Sequence, residues 1–426
     1  MQRDRATGDR AMLLETSQSA LDERLRLIDR AEREIVIVTY ECHDGESTRD
    51  ILAAALHKAD AGVRVRFLVD GIAGRLDHMD GDLFCAVAVH PNVEVRFYNL
   101  IRQWTPWRHM GRMHDKYVIA DDTAFILGGR NMFDKFIGEY PAPVRSLDRE
   151  ALIYNGDGSA SSSLFALRAY FEGMWDGPYT MPFAAGGRIT EARRDAVYAE
   201  LAARCAALRA ARPDLFGPFD YAAATVETRG VWLVSNPTGI YAKKPTVFYQ
   251  LHALMERARE DVVLHSPYAV LNDTLLEALG GIAARVPVTL MVNAVENGAN
   301  LAASGDYLYH RRAVLGTGVR LLEYAGGISY HGKAAAIDGA LSVIGSFNLD
   351  LRSAYVDTEL MLVIRGAAVN AQLRANMEAL HADCRQVAPD GAGSLPDGLA
   401  VPRMTPWKQA ALWLIGLLLQ PVRNLV

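Results

Sequence analysis

The first half of the chain carries three short runs of hydrophobic residues that are rich in β-branched side chains. These runs predict strands at residues 35–40 (IVIVTY), 63–70 (VRVRFLVD) and 93–99 (VEVRFYN). The stretch 48–61, which mixes hydrophobic and polar residues, predicts a helix between the first two strands. This order of elements is typical of a βαβ unit.

The second half of the chain repeats this pattern. Strands are predicted at 262–265, 286–293 and 319–324, with a helix at 272–284 after the first strand. Strands that alternate with helices of this length indicate an α/β fold with a mostly parallel sheet in each half. The chain is therefore interpreted as an internal duplication.

Composition agrees with two soluble globular domains. The chain has 426 residues, of which 50% are hydrophobic and 22% are charged, so a mainly disordered chain is excluded. The net charge of −5 argues against unspecific nucleic-acid binding, which depends on many Lys and Arg contacts to phosphates. The four cysteines are far apart in sequence, so we expect buried free thiols in a reducing compartment and no zinc site.

Neither end of the chain is predicted to cross a membrane. The N-terminus lacks the apolar core of a secretory signal, and no stretch is long enough to span a bilayer. The apolar run at 406–420 would reach only about 21 Å as a helix, against a hydrocarbon core of about 30 Å. We expect it to lie in the membrane interface with Lys408 and Arg423 at the headgroups. The alternative is a terminal helix docked on the second domain.

Each half ends with the same polar motif, HxKxxxxD followed by G[GS]xN, in which the glycine comes seven residues after the aspartate. The first copy provides His114, Lys116, Asp121 and Asn131, and the second provides His331, Lys333, Asp338, Ser346 and Asn348. In a strand, the His and the Lys of one motif point to the same face because they are two residues apart. A single copy would be weak evidence, but two equivalent copies indicate a functional site.

The residue types of the motif suit phosphate chemistry. Histidine is a nucleophile and an acid–base group near neutral pH, lysine is a cation for phosphate oxygens, and asparagine and serine offer further hydrogen bonds. If the halves pack about a pseudo-twofold axis, both motifs converge on one phosphodiester. One histidine then attacks phosphorus to form a phosphohistidine, and the other protonates the departing alkoxide. The lysines offset the charge, so neither a metal nor another cofactor is needed.

The duplicated motif resembles that of the phospholipase D superfamily. The segment 330–360 (YHGKAAAIDGALSVIGSFNLDLRSAYVDTEL) is similar to the bacterial cardiolipin synthases within it, apart from Leu351 in place of proline and Asp357 in place of asparagine. The resemblance implies a duplicated α/β fold with two mixed β-sheets, flanked by helices and packed about a pseudo-twofold axis. We divide the chain into an N-terminal helical arm (1–33), a first domain (34–185), a helical connector (186–230), a second domain (231–388) and a linker with an apolar tail (389–426).

The resemblance also implies individual roles. His114 is expected to be the nucleophile and His331 the acid, while Asp148 and Glu359 orient the histidines. Asp121 and Asp338 belong to the catalytic motif, but they are expected to hold the fold of the site. Asn131, Asn348 and Ser346 are expected to bind the substrate phosphate.

A further stretch before the first motif interleaves aromatic and basic side chains, a pattern that suits a membrane headgroup surface. Its residues are Arg102, Trp104, Trp107, Arg108 and Arg112. Together with the apolar tail, this stretch predicts a peripheral protein on the cytoplasmic side of a membrane. Phospholipids are the expected substrates, nucleic acid is not an expected partner, and a monomer suffices to build the site.

The leading hypothesis is a phosphatidyltransferase like a cardiolipin synthase, with phosphatidylglycerol as the acceptor alcohol. The alternatives are a phospholipase D hydrolase that releases phosphatidic acid, a nucleic-acid phosphodiesterase on the same fold, and a non-catalytic membrane scaffold. A tyrosyl–DNA phosphodiesterase is disfavoured because that group lacks the motif aspartate, which both copies retain here.

Overall fold

A computed structural model describes residues 7–76, 79, 81–100, 110–298, 300–399, 401 and 404–425. The chain forms two compact units, and each is built from more than one segment. Unit 1 contains Met1–Pro143, Glu150–Leu233 and Thr238–Tyr241. Unit 2 contains Val144–Arg149, Val234–Pro237 and Ala242–Val426.

Strands and helices alternate along much of the chain. The strands are β1 (Asp9–Leu14), β2 (Glu34–Thr39), β3 (Arg64–Asp70), β4 (Val93–Tyr98), β5 (Tyr117–Ala120), β6 (Ala124–Gly128), β7 (Ser146–Leu147), β8 (Glu150–Asn155), β9 (Thr180–Pro182), β10 (Val226–Glu227), β11 (Gly230–Ser235), β12 (Val262–His265), β13 (Val288–Asn293), β14 (Arg320–Tyr324), β15 (Ser329–Tyr330), β16 (Ala334–Ile337), β17 (Leu341–Gly345), β18 (Leu360–Arg365), β19 (Cys384–Val387) and β20 (Gly393–Ser394). The helices are α1 (Ser17–Arg30), α2 (Glu46–Asp60), α3 (Ala73–Leu76), α4 (Asp82–Ala88), α5 (Ser163–Trp175), α6 (Glu191–Ala211), α7 (Pro213–Phe216), α8 (Tyr221–Ala224), α9 (Thr246–Met255), α10 (Asp273–Ala283), α11 (Leu301–Gly316), α12 (Leu351–Tyr355), α13 (Ala367–His381) and α14 (Pro406–Leu418), and a 3₁₀ segment covers Gln420–Leu425.

Unit 1 is built around a nine-stranded sheet with the order β10-β1-β8-β6-β5-β2-β3-β4-β9. The strands β2, β3 and β4 run parallel, and the other neighbouring pairs are antiparallel. The sequence of β2, EIVIVT, shows no alternation, and five of its six residues are buried. Such continuous burial is typical of a central strand that is covered on both faces.

Unit 2 repeats the central order in its own nine-stranded sheet, β11-β18-β17-β16-β12-β13-β14-β19-β20. Again three strands, β12, β13 and β14, run parallel. The pairs β12–β16, β16–β17, β17–β18, β14–β19 and β19–β20 are antiparallel. The expected α/β duplication with mixed sheets and flanking helices is confirmed, whereas the mostly parallel pairing inferred from alternation is wrong. The HxK motifs lead directly into β5 and β16. These strands pair antiparallel with β2 and β12, the first of the three parallel strands in each sheet.

Two stretches outside the predicted first domain belong to the body of unit 1. We expected residues 1–33 to form a helical arm, but β1 pairs along its whole length with β8, and only α1 is helical. The predicted connector contains α6, which packs on α2 and α4. Val197, Leu201 and Cys205 form the buried side of α6, so this helix covers the core.

The apolar tail forms α14, which packs along α11 in unit 2. The two helices approach closely at Gly305 and Gly416, where a Cβ on Gly416 would collide with the backbone of Gly305. Arg423 then forms an ion pair with the buried Asp306, with 2.6 Å between Nε and Oδ1. Arg423 is therefore mostly buried and paired with an acid, which corrects its predicted place at the lipid headgroups. Across the described ranges, no helix combines the length and the apolar character needed to cross a membrane.

Candidate active site

In unit 1, the first motif forms a compact cluster before β5. The Lys116 Nζ donates a hydrogen bond to the backbone oxygen of His114 at 2.6 Å, and the lysine is almost completely buried. The ring of Tyr40, at the end of β2, lies edge-on to His114 with 5.2 Å between ring centres. The same ring centre is 5.2 Å from the Lys116 Nζ. A buried cation beside a histidine is a fitting environment for an anionic group.

Asn131 follows the glycine turn after β6 and is 3% exposed. Its Nδ2 donates a hydrogen bond to Glu41 Oε2 at 2.8 Å, while its Oδ1 is buried without a hydrogen-bond partner. No sequence motif marks Glu41, because it lies in the loop after β2 and far from the HxK residues in sequence.

In unit 2, a carboxylate holds the second motif histidine. The Nδ1 of His331 and the Oδ2 of Asp148 are 2.6 Å apart, and the Asp148 side chain is fully buried. The Lys333 Nζ lies 2.8 Å from the same Nδ1 and 3.1 Å from Nε2. When the Nδ1–H donates to Asp148, the ring orientation is fixed and Nε2 remains for proton transfer.

Asp148 reaches His331 through a short parallel pairing. Strand β7 pairs with β15, with Ser146 opposite Ser329 and Leu147 opposite Tyr330. The His331 N–H continues this ladder by donating to the oxygen of Leu147 at 2.7 Å. The segment that carries Asp148 is thus part of unit 2, although it follows the first motif in sequence. The histidine that Asp148 contacts is that of the second motif, and its orienting role stays a prediction.

Glu359, the other predicted orienting residue, is fully buried at the start of β18. Its carboxylate accepts hydrogen bonds from the hydroxyls of Ser346 and Ser353, the latter at 2.6 Å. The Ser346 hydroxyl is buried and supports this carboxylate, and its predicted phosphate contact stays a prediction. Asn348 is 5% exposed, and its Oδ1 is buried without a partner. The histidine contact of Glu359 and the phosphate contacts of both asparagines stay predictions.

The two motif aspartates lie at the other end of the strand from the histidines. Asp121 accepts hydrogen bonds from the backbone N–H groups of residues 32, 33 and 34 at 2.7, 2.9 and 2.8 Å. Asp338 does the same for residues 259, 260 and 261 at 3.0, 2.9 and 3.3 Å. Both aspartates have a φ of +49°, in the left-handed region. These hydrogen bonds fix the backbone at the entry to β2 and β12, as expected for a structural role, and the place of both aspartates in the catalytic set stays a prediction.

Replacing Asp121 with alanine should lower the free energy of unfolding by about 2–4 kcal/mol, because three backbone donors lose a charged acceptor. Denaturant unfolding followed by circular dichroism would measure this loss. Asp122→Ala is the matched control, since Asp122 makes only partly exposed ion pairs that contribute less than about 1 kcal/mol. Unchanged stability of Asp121→Ala would contradict the structural role.

The predicted aromatic and basic surface before the first motif is only partly described. Arg102, Trp104, Trp107 and Arg108 lie outside the described residues. Arg112 is buried, and its guanidinium pairs with Asp70 at 2.7 Å. Arg112 is therefore a structural residue and not part of a headgroup surface.

Behind the second motif lies a histidine pair that the sequence did not reveal. The Nε2 atoms of His265 and His381 are 3.0 Å apart, and Tyr330 packs edge-on against His265. Burial lowers the pKa of His381 to about 4 and holds that of His265 well below its usual value, so both rings are neutral near pH 7. The four cysteines are buried and form no disulfide, as predicted.

Comparison with known proteins agrees with this geometry. The family described as "Cardiolipin synthase, PLD-like domain" matches residues 25–157 and 251–381. Cardiolipin synthase C of Escherichia coli is 25% identical over 84% of this chain and 82% of its own length. Cardiolipin synthase A of Proteus mirabilis is 25% identical over 84% of this chain and 66% of its own length.

Among solved structures, phosphatidylserine synthase from Haemophilus influenzae matches with a TM-score of 0.70 and 14% identity. The match covers 98% of this chain and 95% of that protein. This similarity shows a shared fold. The two family matches, which together cover more than half of the chain, identify it as a member of the cardiolipin synthase-like family of the phospholipase D superfamily of enzymes.

Proposed function

We propose that this enzyme transfers a phosphatidyl group from one phospholipid to the hydroxyl of an alcohol, with phosphatidylglycerol as donor and acceptor. The observation that carries the proposal is the Asp148–His331–Lys333 arrangement, in which a buried carboxylate and a lysine flank one histidine. Such a histidine is suited to give and take a proton at a phosphate ester. The cardiolipin synthases among the relatives support the choice of lipid substrates.

In the proposed first step, the neutral His114 attacks phosphorus, and a nitrogen–phosphorus bond forms. The bond from phosphorus to the leaving glycerol oxygen breaks, and the protonated His331 gives its proton to that oxygen. Lys116 and Lys333 offset the negative charge that builds up on the other phosphate oxygens. The products are free glycerol and a phosphatidyl-histidine.

In the proposed second step, His331 removes the proton from a hydroxyl of a second phosphatidylglycerol. The oxygen of that hydroxyl attacks phosphorus, the nitrogen–phosphorus bond breaks, and His114 returns to its starting state. Asp148 stabilises the His331 imidazolium that forms in this step. The sequence of bonds made and broken balances without a metal or an external reductant.

Lipid mass spectrometry tests the proposal directly. Purified protein is incubated with phosphatidylglycerol vesicles, beside vesicles without protein. Formation of cardiolipin and free glycerol in equal amounts is the expected result. Phosphatidic acid without cardiolipin would replace the transferase assignment by a hydrolase, and the absence of both products would overturn the proposal.

We also propose that unit 2 contacts the membrane through the outer face of α14. Half of the twelve large hydrophobic side chains exposed in the described residues belong to α14 or the turn after it. They are Trp407, Trp413, Leu414, Leu417, Leu418 and Val422. No acidic residue lies between 398 and the end of the chain, and Lys408 is exposed at the start of the helix. An apolar face with tryptophans and a cation suits the interface of an anionic bilayer.

The double variant Leu414→Ser/Leu418→Ser should weaken binding to phosphatidylglycerol vesicles by about tenfold or more, because two leucines lose apolar burial in the lipid. Vesicle co-sedimentation measures the bound fraction. Leu395→Ser is the matched control, since this leucine is 43% exposed elsewhere in unit 2. Equal binding of all three proteins would exclude α14 as the membrane contact.

A further inference from the structure

Each unit carries one half-site, the residues around its HxK motif, and the two half-sites share local backbone contacts but differ in several residues. In unit 1, the Thr39 hydroxyl donates to the oxygen of residue 41 at 2.8 Å, and an isolated parallel bridge joins residues 42 and 132. In unit 2, the Ser266 hydroxyl donates to the oxygen of residue 268 at 2.8 Å, and a matching bridge joins 269 and 349. These contacts align Glu41 with Tyr268. The first half-site therefore has a carboxylate where the second has a phenol.

Glu41 fixes the orientation of the motif asparagine. A carboxylate only accepts hydrogen bonds, so the amide Nδ2 of Asn131 must face Glu41, and the amide Oδ1 must face away. This Oδ1 is buried and has no hydrogen-bond partner. A buried acceptor without a partner is costly, and a ligand that brings a hydrogen-bond donor would remove that cost. Asn131 and Glu41 therefore offer hydrogen-bond acceptor atoms to a ligand, in addition to any donors.

The surroundings of Glu41 are mixed in charge. Burial lowers the pKa of His43. The nearby Glu41 carboxylate raises this pKa, and the nearby Lys135 cation lowers it further. The ring of Tyr40, the residue before Glu41, lies near both Lys116 and His114. A carboxylate beside a phosphate site repels a bare phosphate anion. The same carboxylate favours a phosphate ester whose alcohol part carries a hydrogen-bond donor.

We propose that Glu41 is a specificity-determining residue that accepts a hydrogen bond from a second donor group on the alcohol part of the substrate. The donor is a hydroxyl or an ammonium group a few bonds from the ester oxygen, as in glycerol or ethanolamine. This inference rests on the proposed phosphatidyl transfer and names the class of alcohol that the first half-site selects. A simple alcohol with one hydroxyl lacks the group that Glu41 recognises.

The test is competition between acceptor alcohols. Phosphatidylglycerol vesicles are supplied with glycerol, ethanolamine or 1-propanol, and the phosphatidyl products are quantified by mass spectrometry. The variant Glu41→Gln keeps the size of the side chain and an oxygen for Asn131, but loses the charge. Glu139→Gln, which changes an exposed acid in unit 1, is the matched control. Thermal unfolding confirms that each variant is folded.

The expected result is a fall of about tenfold or more in the kcat/KM ratio of a donor-bearing alcohol to 1-propanol in Glu41→Gln, and no such fall in Glu139→Gln. A larger fall for ethanolamine identifies an ammonium group, and a larger fall for glycerol identifies a hydroxyl. Unchanged ratios with active protein would overturn the assignment of Glu41 alone. Absence of any phosphatidyl product from the unsubstituted protein would overturn the proposed function and this inference with it.

Discussion

Replacing His331 with alanine should lower the rate of phosphatidyl transfer by a factor on the order of 10³ or more, because the leaving oxygen loses its proton donor and the acceptor hydroxyl loses its base. His114→Ala should remove the nucleophile and have an effect at least as large. Initial rates of cardiolipin formation measure both effects. Because His114 is buried, thermal unfolding of both variants checks that the fold is kept.

His252→Ala is the matched control for His331. His252 lies on α9 in the same unit, and its nearest acid is Glu256 at 3.8 Å, too far for a strong pair. It should keep nearly full activity. If His331→Ala retained cardiolipin synthesis, the acid–base role would be excluded, and a catalytic role for the second motif would have to rest on Lys333.

Changing Asp148 to asparagine should lower kcat by a factor on the order of 10²–10⁴ and leave KM within a few-fold, because the carboxylate acts on His331 rather than on the lipid. Asparagine has nearly the same shape, so β7 should still pair with β15. The lost element is the negative charge beside the imidazolium. Steady-state rates at varied phosphatidylglycerol content of mixed vesicles separate kcat from KM.

Asp273→Asn is the control for Asp148. Asp273 is an exposed acid in the first turn of α10, also in unit 2. An equal fall in kcat for both variants would indicate a general loss of charge or folding. A raised KM with unchanged kcat in Asp148→Asn would show that this residue binds lipid instead of orienting His331.

The central strands and both motifs were predictable because their signals are local. Continuous apolar runs mark β2 and β3, and the HxK spacing marks the two histidines. The mixed pairing was not visible in the pattern, since β5 and β16 are short, fully buried strands whose direction depends on the turn before them. The family resemblance supplied that part of the prediction.

The partner of each polar group was harder to predict, because it depends on contacts between distant parts of the sequence. Asp148 was selected as an orienting residue, but only the β7–β15 pairing assigns it to His331. Glu41 was missed because its contact to Asn131 spans 90 residues. The position of the tail was also open, since its docking on α11 depends on contacts between distant residues, such as the close approach of Gly416 to Gly305.

The pairing of β7 with β15 also has a consequence for synthesis on the ribosome. Asp148 and His331 are separated by 183 residues. At about 5–20 residues per second, the segment with Asp148 emerges roughly 10–40 s before its partner strand. During that interval the backbone of β7 cannot form its hydrogen bonds with β15. The histidine site of unit 2 is therefore completed late, after most of the chain has already been made.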